Sequence, residues 1–215
     1  MHISTVIFDL DGTLVDSLPG IEASTRHAVA KCLPDRVLPS MRDLIGPPLR
    51  TMLANLWPDL QAAQLDPLVA SFRAHYDAKG CRLTTLYPDV PEVLRTLAER
   101  EIGMHVLTNK PYEPTLTILE HTGIRDRFQD VVSPDIVQPL LPTKVEGARL
   151  LRDRHGLDPA VTLLVGDGLD DLVSAEACRF AFAVAVYGYG SAARSADIGG
   201  FPQVTTFSDI LRIVR

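Results

Sequence analysis

Four short apolar runs, each followed at once by polar or glycine residues, constrain the fold of this 215-residue chain more than any other feature. They cover residues 3–8, 102–107, 161–165 and 180–186. Near-continuous apolar runs of this length are typical of strands that are buried on both faces of a parallel sheet. We therefore expect central strands at these positions.

Helical patterns separate the later apolar runs. Apolar residues recur at three- and four-residue intervals over residues 90–100, 114–122 and 144–155. Strands that alternate with helices predict an α/β fold with a doubly wound, Rossmann-like parallel sheet. Ligands in such folds bind at the carboxyl ends of the strands. The turns that follow the apolar runs are therefore the first place to look for a site.

Residues 17–82 break this alternation because they contain no convincing strand-like run. The pattern instead predicts helices over residues 18–33, near 40–45, from 49 onward and over 61–79. We expect a helical insert, residues 17–82, placed after the first strand of a core formed by residues 1–16 and 83–215. The alternative is one domain with an irregular helical layer.

Composition narrows the classes of function. The net charge of −6 and the pI of about 5.5 argue against broad nucleic-acid or membrane-surface binding. No apolar run approaches the roughly 20 residues of a membrane helix. The start of the chain is too quickly acidic for a signal peptide, and the widely spaced Cys32, Cys81 and Cys178 suggest free thiols. We expect a soluble, cytoplasmic monomer or homodimer with no nucleic-acid or membrane partner.

The first run ends in two aspartates, Asp9 and Asp11, followed by Gly12 and Thr13. An Asp-x-Asp-Gly segment also opens a calcium loop, but that loop needs a glutamate at its twelfth position. Gly20 occupies that position here, and a strand rather than a helix precedes the segment. The sequence therefore disfavours a calcium loop.

Polar groups also follow the second and third runs. Thr108 and Asn109 follow the second, the segment 166–171 (GDGLDD) follows the third, and Lys144 opens a predicted helix. Clustered carboxylates bind Mg²⁺ through oxygen, and a lysine offsets phosphoryl charge. One aspartate can attack phosphorus while a second moves protons. The combination favours phosphoryl transfer.

Taken in order, four segments resemble the motifs of the haloacid dehalogenase superfamily of aspartate-nucleophile phosphatases. They are residues 8–17 (FDLDGTLVDS), 108–111 (TNKP), Lys144 and 165–171 (VGDGLDD). The resemblance covers nearly the whole chain. It is to the branch with a helical cap after the first motif, which includes phosphoglycolate phosphatases.

The resemblance implies that Asp9 is the nucleophile and a Mg²⁺ ligand. Asp11 would protonate the leaving oxygen and then activate water, and its backbone carbonyl would also meet the metal. Asp167 would complete the metal site with support from Asp171, for which Asp170 is the alternative.

For the phosphoryl group, the resemblance implies binding by Gly12, Thr108 and Asn109. Lys144 would neutralise its oxygens and orient the nucleophile. Lys110 is the alternative lysine because it closely follows Thr108; otherwise it would be a solvated side chain.

Two positions depart from the pattern of the family. Gly168 replaces the Ser or Thr that commonly follows Gly-Asp in the fourth motif, and Asp89 replaces a turn glycine. The resemblance implies a Mg²⁺-dependent phosphatase of a small phosphorylated metabolite, with 2-phosphoglycolate as a candidate. A sugar-phosphate mutase, a 5′-nucleotidase or a pyrophosphatase is the alternative within the superfamily. A receiver-type signalling module is the alternative outside it, although it needs neither the helical insert nor the second carboxylate.

Two further signals carry less weight. Gly188 and Gly190 lie in a segment that is similar to the glycine-rich fingerprint of dinucleotide-binding sites. The sequence after this segment allows only a very short helix, so we expect a loop near the metal site instead. Arg42 and Arg50 flank a Gly-Pro-Pro turn. Either could bind a second anionic group on the substrate. The alternative for each is a solvated position on the protein surface.

Overall fold

The computed structural model describes residues 2–190 and 200–214. Within these described residues, eight strands, numbered in chain order, form two sheets. They are β1 (Thr5–Phe8), β2 (Val15–Asp16), β3 (Thr85–Leu86), β4 (Gly103–Leu107), β5 (Asp130–Val132), β6 (Thr162–Gly166), β7 (Ala181–Ala185) and β8 (Gln203–Val204). Six of them form a parallel sheet in the order β5-β4-β1-β6-β7-β8. The predicted doubly wound α/β fold is confirmed.

The helices that follow the strands cover both faces of this sheet. They are α4 (Val90–Glu99), α5 (Tyr112–His121), α6 (Lys144–His155), α7 (Leu169–Cys178) and α8 (Ile210–Ile213). Neighbouring residues of β1 point to opposite faces: Val6 belongs to the core cluster that includes residues of α4 and α5, and Ile7 to the cluster that includes residues of α6 and α7. The central strand is therefore apolar over Val6–Phe8, because both of its faces are buried there.

The four predicted strands are present, with ends that differ by one or two residues from the apolar runs. The edge strands β5 and β8 contain three and two residues. No sequence pattern identified β5, because three residues are too few to show a period. Its place is set by backbone pairing of residues 130–132 with β4.

The segment between β2 and β3 is helical, as predicted. It contains α1 (Leu18–Cys32), a short 3₁₀ helix (Arg42–Leu44), α2 (Leu49–Leu56) and α3 (Ala62–Ala78), and α1 packs against α3. It contributes no strand to the large sheet. Since β2 pairs antiparallel with β3, the chain leaves and rejoins the sheet region through adjacent strands. Within the described part of the chain, no helix is long and apolar enough to cross a membrane.

One buried histidine lies within this fold, away from the ends of the strands. His105 on β4 is 1% exposed, and its ring lies 4.6 Å from that of His155. His155 in turn lies 2.9 Å from Asp130. Burial, with a smaller contribution from the neighbouring His155, lowers the pKa of His105 to about 4 against the opposing effect of Asp130. The folded protein therefore holds this ring neutral at pH values where the unfolded chain would protonate it.

We expect acid to destabilise the fold through His105. Between pH 6.5 and about 4 the unfolded chain binds a proton that the folded chain does not, so the free energy of unfolding falls as the pH falls, by up to about 3 kcal/mol. Urea unfolding at several pH values would measure this. His105→Leu should flatten the profile in this window, whereas the exposed-residue control His121→Gln should not. Equal pH slopes for His105→Leu and the unmodified protein would contradict the assignment.

Candidate active site

Three aspartates from two strand ends form a buried cluster. Asp9 follows β1, while Asp167 and Asp171 lie at the end of β6 and in the first turn of α7. All three are less than 10% exposed, and one carboxylate oxygen of each lies within 4.8 Å of the others. β1 and β6 are adjacent and parallel, which brings their carboxyl ends together. The structure thus brings Asp9 to two aspartates that lie 158 and 162 positions further along the sequence.

Lys144 connects two members of this acidic cluster. Its Nζ lies 2.6 Å from Asp9 Oδ1 and 2.7 Å from Asp171 Oδ1. Burial alone would lower the pKa of Lys144, but the charges of Asp171 and Asp9 outweigh it and raise the pKa above its usual value. The side chain is therefore a permanent cation beside Asp9, at the first residue of α6.

Negative charge is in excess in this cluster. Burial raises the pKa of Asp9 to about 7 against the opposing effect of Lys144, with a further contribution from Asp171. Burial, Asp9 and Asp171 likewise raise the pKa of Asp167 well above its usual range. Several buried carboxylates with one ammonium are poorly compensated, and carboxylate oxygens are the ligands that Mg²⁺ prefers. The donor set therefore fits a bound divalent cation.

Asp170 and Asp171 have different surroundings, which the sequence could not distinguish. Asp171 Oδ2 accepts a hydrogen bond from Gly168 N at 3.0 Å, so Asp171 closes the first turn of α7. Asp170 is exposed, and its Oδ2 accepts from Asn109 Nδ2 at 2.9 Å. Asp171, not Asp170, joins the acidic cluster.

The Asp11 side chain faces a different partner. Asp11 Oδ2 lies 2.9 Å from Lys110 Nζ, and the Lys110 ammonium lies 4.7 Å from the centre of the Tyr76 ring on α3. Burial alone would lower the pKa of Lys110, but Asp11 and Tyr76 raise it. The interpretation of Lys110 as a solvated side chain is wrong. Its place two residues after Thr108, in the same turn, was the sequence signal for its proximity to the site.

We expect Lys110→Met to lower the free energy of unfolding by roughly 3 kcal/mol, because it leaves the Asp11 carboxylate nearly buried without its cation. Lys110→Arg keeps the charge and should recover part of this loss. The exposed Lys79→Met serves as the control for removing a lysine. Urea unfolding of all three variants is the measurement. A Lys110→Met variant as stable as Lys79→Met would show that the ion pair contributes little.

Two glycine-rich turns hold Asp167 in place. Gly12 has a φ of 85°, and a side chain there would bring a Cβ within 2.2 Å of Asp167 Oδ2. At Gly190 a Cβ would lie 1.5 Å from the Asp167 carbonyl oxygen. The residue before Gly190 binds the same carboxylate, because Tyr189 N donates to Asp167 Oδ2 at 2.8 Å. These glycines are required for the close packing of two loops on one carboxylate.

The segment around Gly188 and Gly190 is therefore a loop at the acidic cluster, as expected. The rest of the segment that is similar to a dinucleotide-binding fingerprint, residues 191–193, lies outside the described residues. Tyr189 was not identified from the sequence. Its hydroxyl accepts from Ser17 N at 2.7 Å and donates to Asp16 Oδ1 at 2.6 Å. This residue links the loop to the point where the helical segment begins.

Asp89, one of the two departures from the family pattern, has a structural reason. Asp89 directly precedes α4 and has a φ of 67°, in the left-handed region where glycine is most common. Aspartate tolerates this region better than most residues. The turn is therefore kept although the glycine is absent.

A cavity of about 590 Å³ opens beside the acidic cluster. Asp9, Asp11 and Thr108 line it, together with Asn109 and Lys110. Residues of the helical segment form the opposite wall, and Asn109 Nδ2 reaches across to the Gly46 carbonyl at 3.3 Å. The predicted nucleophile Asp9, the predicted proton carrier Asp11 and two of the predicted phosphoryl-binding residues, Thr108 and Asn109, thus face one space, whereas Gly12 and Lys144 are not among its lining residues.

Neither arginine that flanks the Gly-Pro-Pro turn is among the residues lining this cavity. The Arg42 guanidinium lies over the Tyr189 ring, 5.4 Å from its centre, and Arg50 forms an exposed ion pair with Asp66. The arginine that lines the cavity in the described part of the chain is Arg73 on α3. The periodicity of α3 did not single it out.

Comparisons with known proteins agree with this geometry. The family described as haloacid dehalogenase-like hydrolase matches residues 6–185. A phosphoglycolate phosphatase of Rhodobacter capsulatus is 31% identical over 95% of this chain and 92% of its own length. An N-acetylmuramic acid 6-phosphate phosphatase of Pseudomonas aeruginosa is 30% identical over 88% of this chain and 84% of its own length.

Solved structures share the fold. A hydrolase of the haloacid dehalogenase-like family from Streptococcus pneumoniae superposes with a TM-score of 0.88, covering 99% of both chains at 23% identity. The matched family segment contains Asp9, Lys144 and the Asp167–Asp171 turn, and the relatives align over almost the full length. This chain belongs to the haloacid dehalogenase-like hydrolase family.

Proposed function

We propose that this protein is a Mg²⁺-dependent phosphatase that hydrolyses a small phosphate monoester through an aspartyl-phosphate on Asp9. The observation that carries the proposal is the buried cluster of Asp9, Asp167 and Asp171, bridged by Lys144 and open to a cavity. The names of the relatives, which are phosphatases, support the same reaction type.

The proposed Mg²⁺ ligands are the carboxylates of Asp9 and Asp167 and the backbone carbonyl of Asp11, with Asp171 in support. When bound, the ion supplies positive charge that offsets the phosphoryl oxygens and the excess of buried carboxylates. The hard oxygen donors favour Mg²⁺ over softer metals.

In the first proposed step, an Asp9 carboxylate oxygen attacks phosphorus. The bond between phosphorus and the alcohol oxygen breaks, and Asp11 donates a proton to that oxygen. In the second step a water attacks phosphorus, Asp11 takes its proton, and the bond to Asp9 breaks to release inorganic phosphate. The separate locations of the two side chains support this division: Asp9 lies in the acidic cluster, and Asp11 lies outside it against Lys110.

The phosphoryl oxygens would be held by Thr108, Asn109 and the backbone at Gly12. Lys144, already in contact with Asp9, would balance their charge and orient the nucleophile. The helical segment 17–82 would act as a cap over a core of residues 1–16 and 83–215 and exclude water. Its adjacent β2 and β3 connections and its wall of the cavity support this role.

Release of inorganic phosphate across a panel of metabolites, with Mg²⁺ present, tests the proposal. The panel contains 2-phosphoglycolate, N-acetylmuramic acid 6-phosphate, sugar phosphates, nucleotides and pyrophosphate. We expect multiple turnovers with at least one monoester. A lasting phosphorylated Asp9 without phosphate release would favour the receiver-type module, and transfer between two positions of a sugar would favour a mutase.

A further inference from the structure

The cavity beside the acidic cluster is larger than a phosphoryl group needs. Its volume of about 590 Å³ lies within the roughly 300–1,000 Å³ of sites that enclose drug-sized ligands. A phosphoryl group and a two-carbon alcohol such as glycolate would occupy a small part of it. The remaining space must be filled by water or by a larger leaving group.

The wall opposite the carboxylates is mostly apolar. The helical segment contributes five large apolar side chains to it: Ile21, Ile45, Leu49, Met52 and Phe72. Leu140 and Leu141 line the cavity from the core. An apolar group placed against these side chains would displace water from apolar surface, which is favourable. Glycolate has no such group.

The charged side chains that line the cavity away from the acidic cluster oppose a second anion. Asp77, Glu113 and Asp135 are exposed residues among those that line it. Of the lysine and arginine side chains that line the cavity within the described residues, Lys110 already pairs with Asp11, which leaves Arg73. Three carboxylates and one guanidinium give a net negative surface, which disfavours a carboxylate on the substrate.

From these three observations we infer that the preferred substrate is the phosphate monoester of a bulky, uncharged alcohol with an apolar face, rather than of a short acidic alcohol. The inference rests on the proposed phosphatase function and specifies the substrate class of the same site. The apolar wall would bind the alcohol, and the three exposed carboxylates would select against negatively charged alcohols.

Three esters test the inference with the unmodified protein and Mg²⁺. Ethyl and benzyl phosphate have uncharged leaving alcohols of similar acidity that differ in apolar size, and 2-phosphoglycolate is small and acidic. We expect kcat/KM for benzyl phosphate to exceed each of the other two by about tenfold or more. A value for 2-phosphoglycolate equal to or above that for benzyl phosphate overturns the inference and leaves the phosphatase function standing. No phosphate release from any ester or metabolite overturns both.

Two pairs of variants locate the preference. Met52→Ser should lower the benzyl-to-ethyl ratio of kcat/KM by roughly threefold or more, whereas Met52→Leu keeps the wall apolar and should retain the ratio. Asp77→Asn, at an exposed position, should raise kcat/KM for 2-phosphoglycolate relative to ethyl phosphate, and Asp77→Glu should not. Circular dichroism establishes that each variant is folded. Ratios that stay unchanged in both Met52→Ser and Asp77→Asn would overturn the inference.

Discussion

Asp9→Asn is expected to abolish phosphate release, with a loss of at least about 10⁴-fold in kcat. The amide cannot attack phosphorus, so no covalent intermediate forms. Of the three clustered aspartates, Asp9 is the one among the residues that line the cavity, so Asp167 and Asp171 are not expected to replace it. Phosphate release and mass spectrometry of the protein after mixing with substrate are the measurements.

Asp11→Asn should fail at a different stage. This variant keeps the nucleophile but removes the proton carrier, which is typically worth about 10²–10⁴-fold. An aryl phosphate has a leaving group that needs little protonation, so Asp9 should still become phosphorylated. Activation of water in the second step still needs Asp11, because it does not depend on the leaving group. We expect a burst of phenol followed by slow phosphate release, with the phosphoryl group retained on Asp9.

Asp170→Asn is the matched control for both variants, because Asp170 is a nearby aspartate outside the acidic cluster. It should keep the covalent intermediate and its turnover. An active Asp9→Asn variant, or an Asp11→Asn variant that releases phosphate at the unmodified rate, would show that the two roles are assigned wrongly.

Removal of Mg²⁺ should abolish turnover and also lower the melting temperature. An ion that binds only the folded state at 100 times its dissociation constant stabilises it by about 2.7 kcal/mol. For a chain of this size that corresponds to roughly 5–10 °C. Calorimetry in EDTA and in Mg²⁺, without substrate, measures the shift independently of activity.

The excess of buried carboxylates predicts that Asp167→Asn stabilises the metal-free protein but weakens its stabilisation by Mg²⁺. This substitution removes one buried carboxylate from the cluster, so the metal-free variant should melt at or above the temperature of the metal-free unmodified protein. It also removes a ligand, so the Mg²⁺ shift should be largely lost. Asp170→Asn should retain the full shift. Undiminished turnover of the unmodified protein after exhaustive chelation, or an unchanged Mg²⁺ shift in Asp167→Asn, would contradict the proposed site.

Much of this arrangement follows from local pattern. The β1, β4, β6 and β7 runs are apolar because both faces of the sheet are covered. Such a run can be recognised in the sequence when the strand is long enough. Parallel strands place their carboxyl ends at one edge, so Asp9, Thr108 and Asp167 were expected to converge. The helical nature of residues 17–82 was visible in their periodicity and prolines. The edge strand β5 was not, because its place depends on pairing with β4.

Tertiary packing determines which partner each of two chemically identical side chains contacts. Asp170 and Asp171 are both aspartates in the first turn of α7, and the orientation of the helix alone puts one in the acidic cluster and the other on Asn109. Lys144 and Lys110 are both buried cations, yet one contacts Asp9 and the other Asp11.

The fold class, the helical insert and the set of polar residues at the strand ends were therefore predictable, because they follow from periodicity and from where each strand stops. Three features emerged from the packing of the chain: which carboxylate each lysine contacts, the hold of Tyr189 and its neighbouring glycines on Asp167, and the place of Arg73, rather than Arg42 or Arg50, in the cavity wall. A side chain's direction and its distant neighbours depend on how helices and loops pack. Short-range sequence pattern does not record that packing.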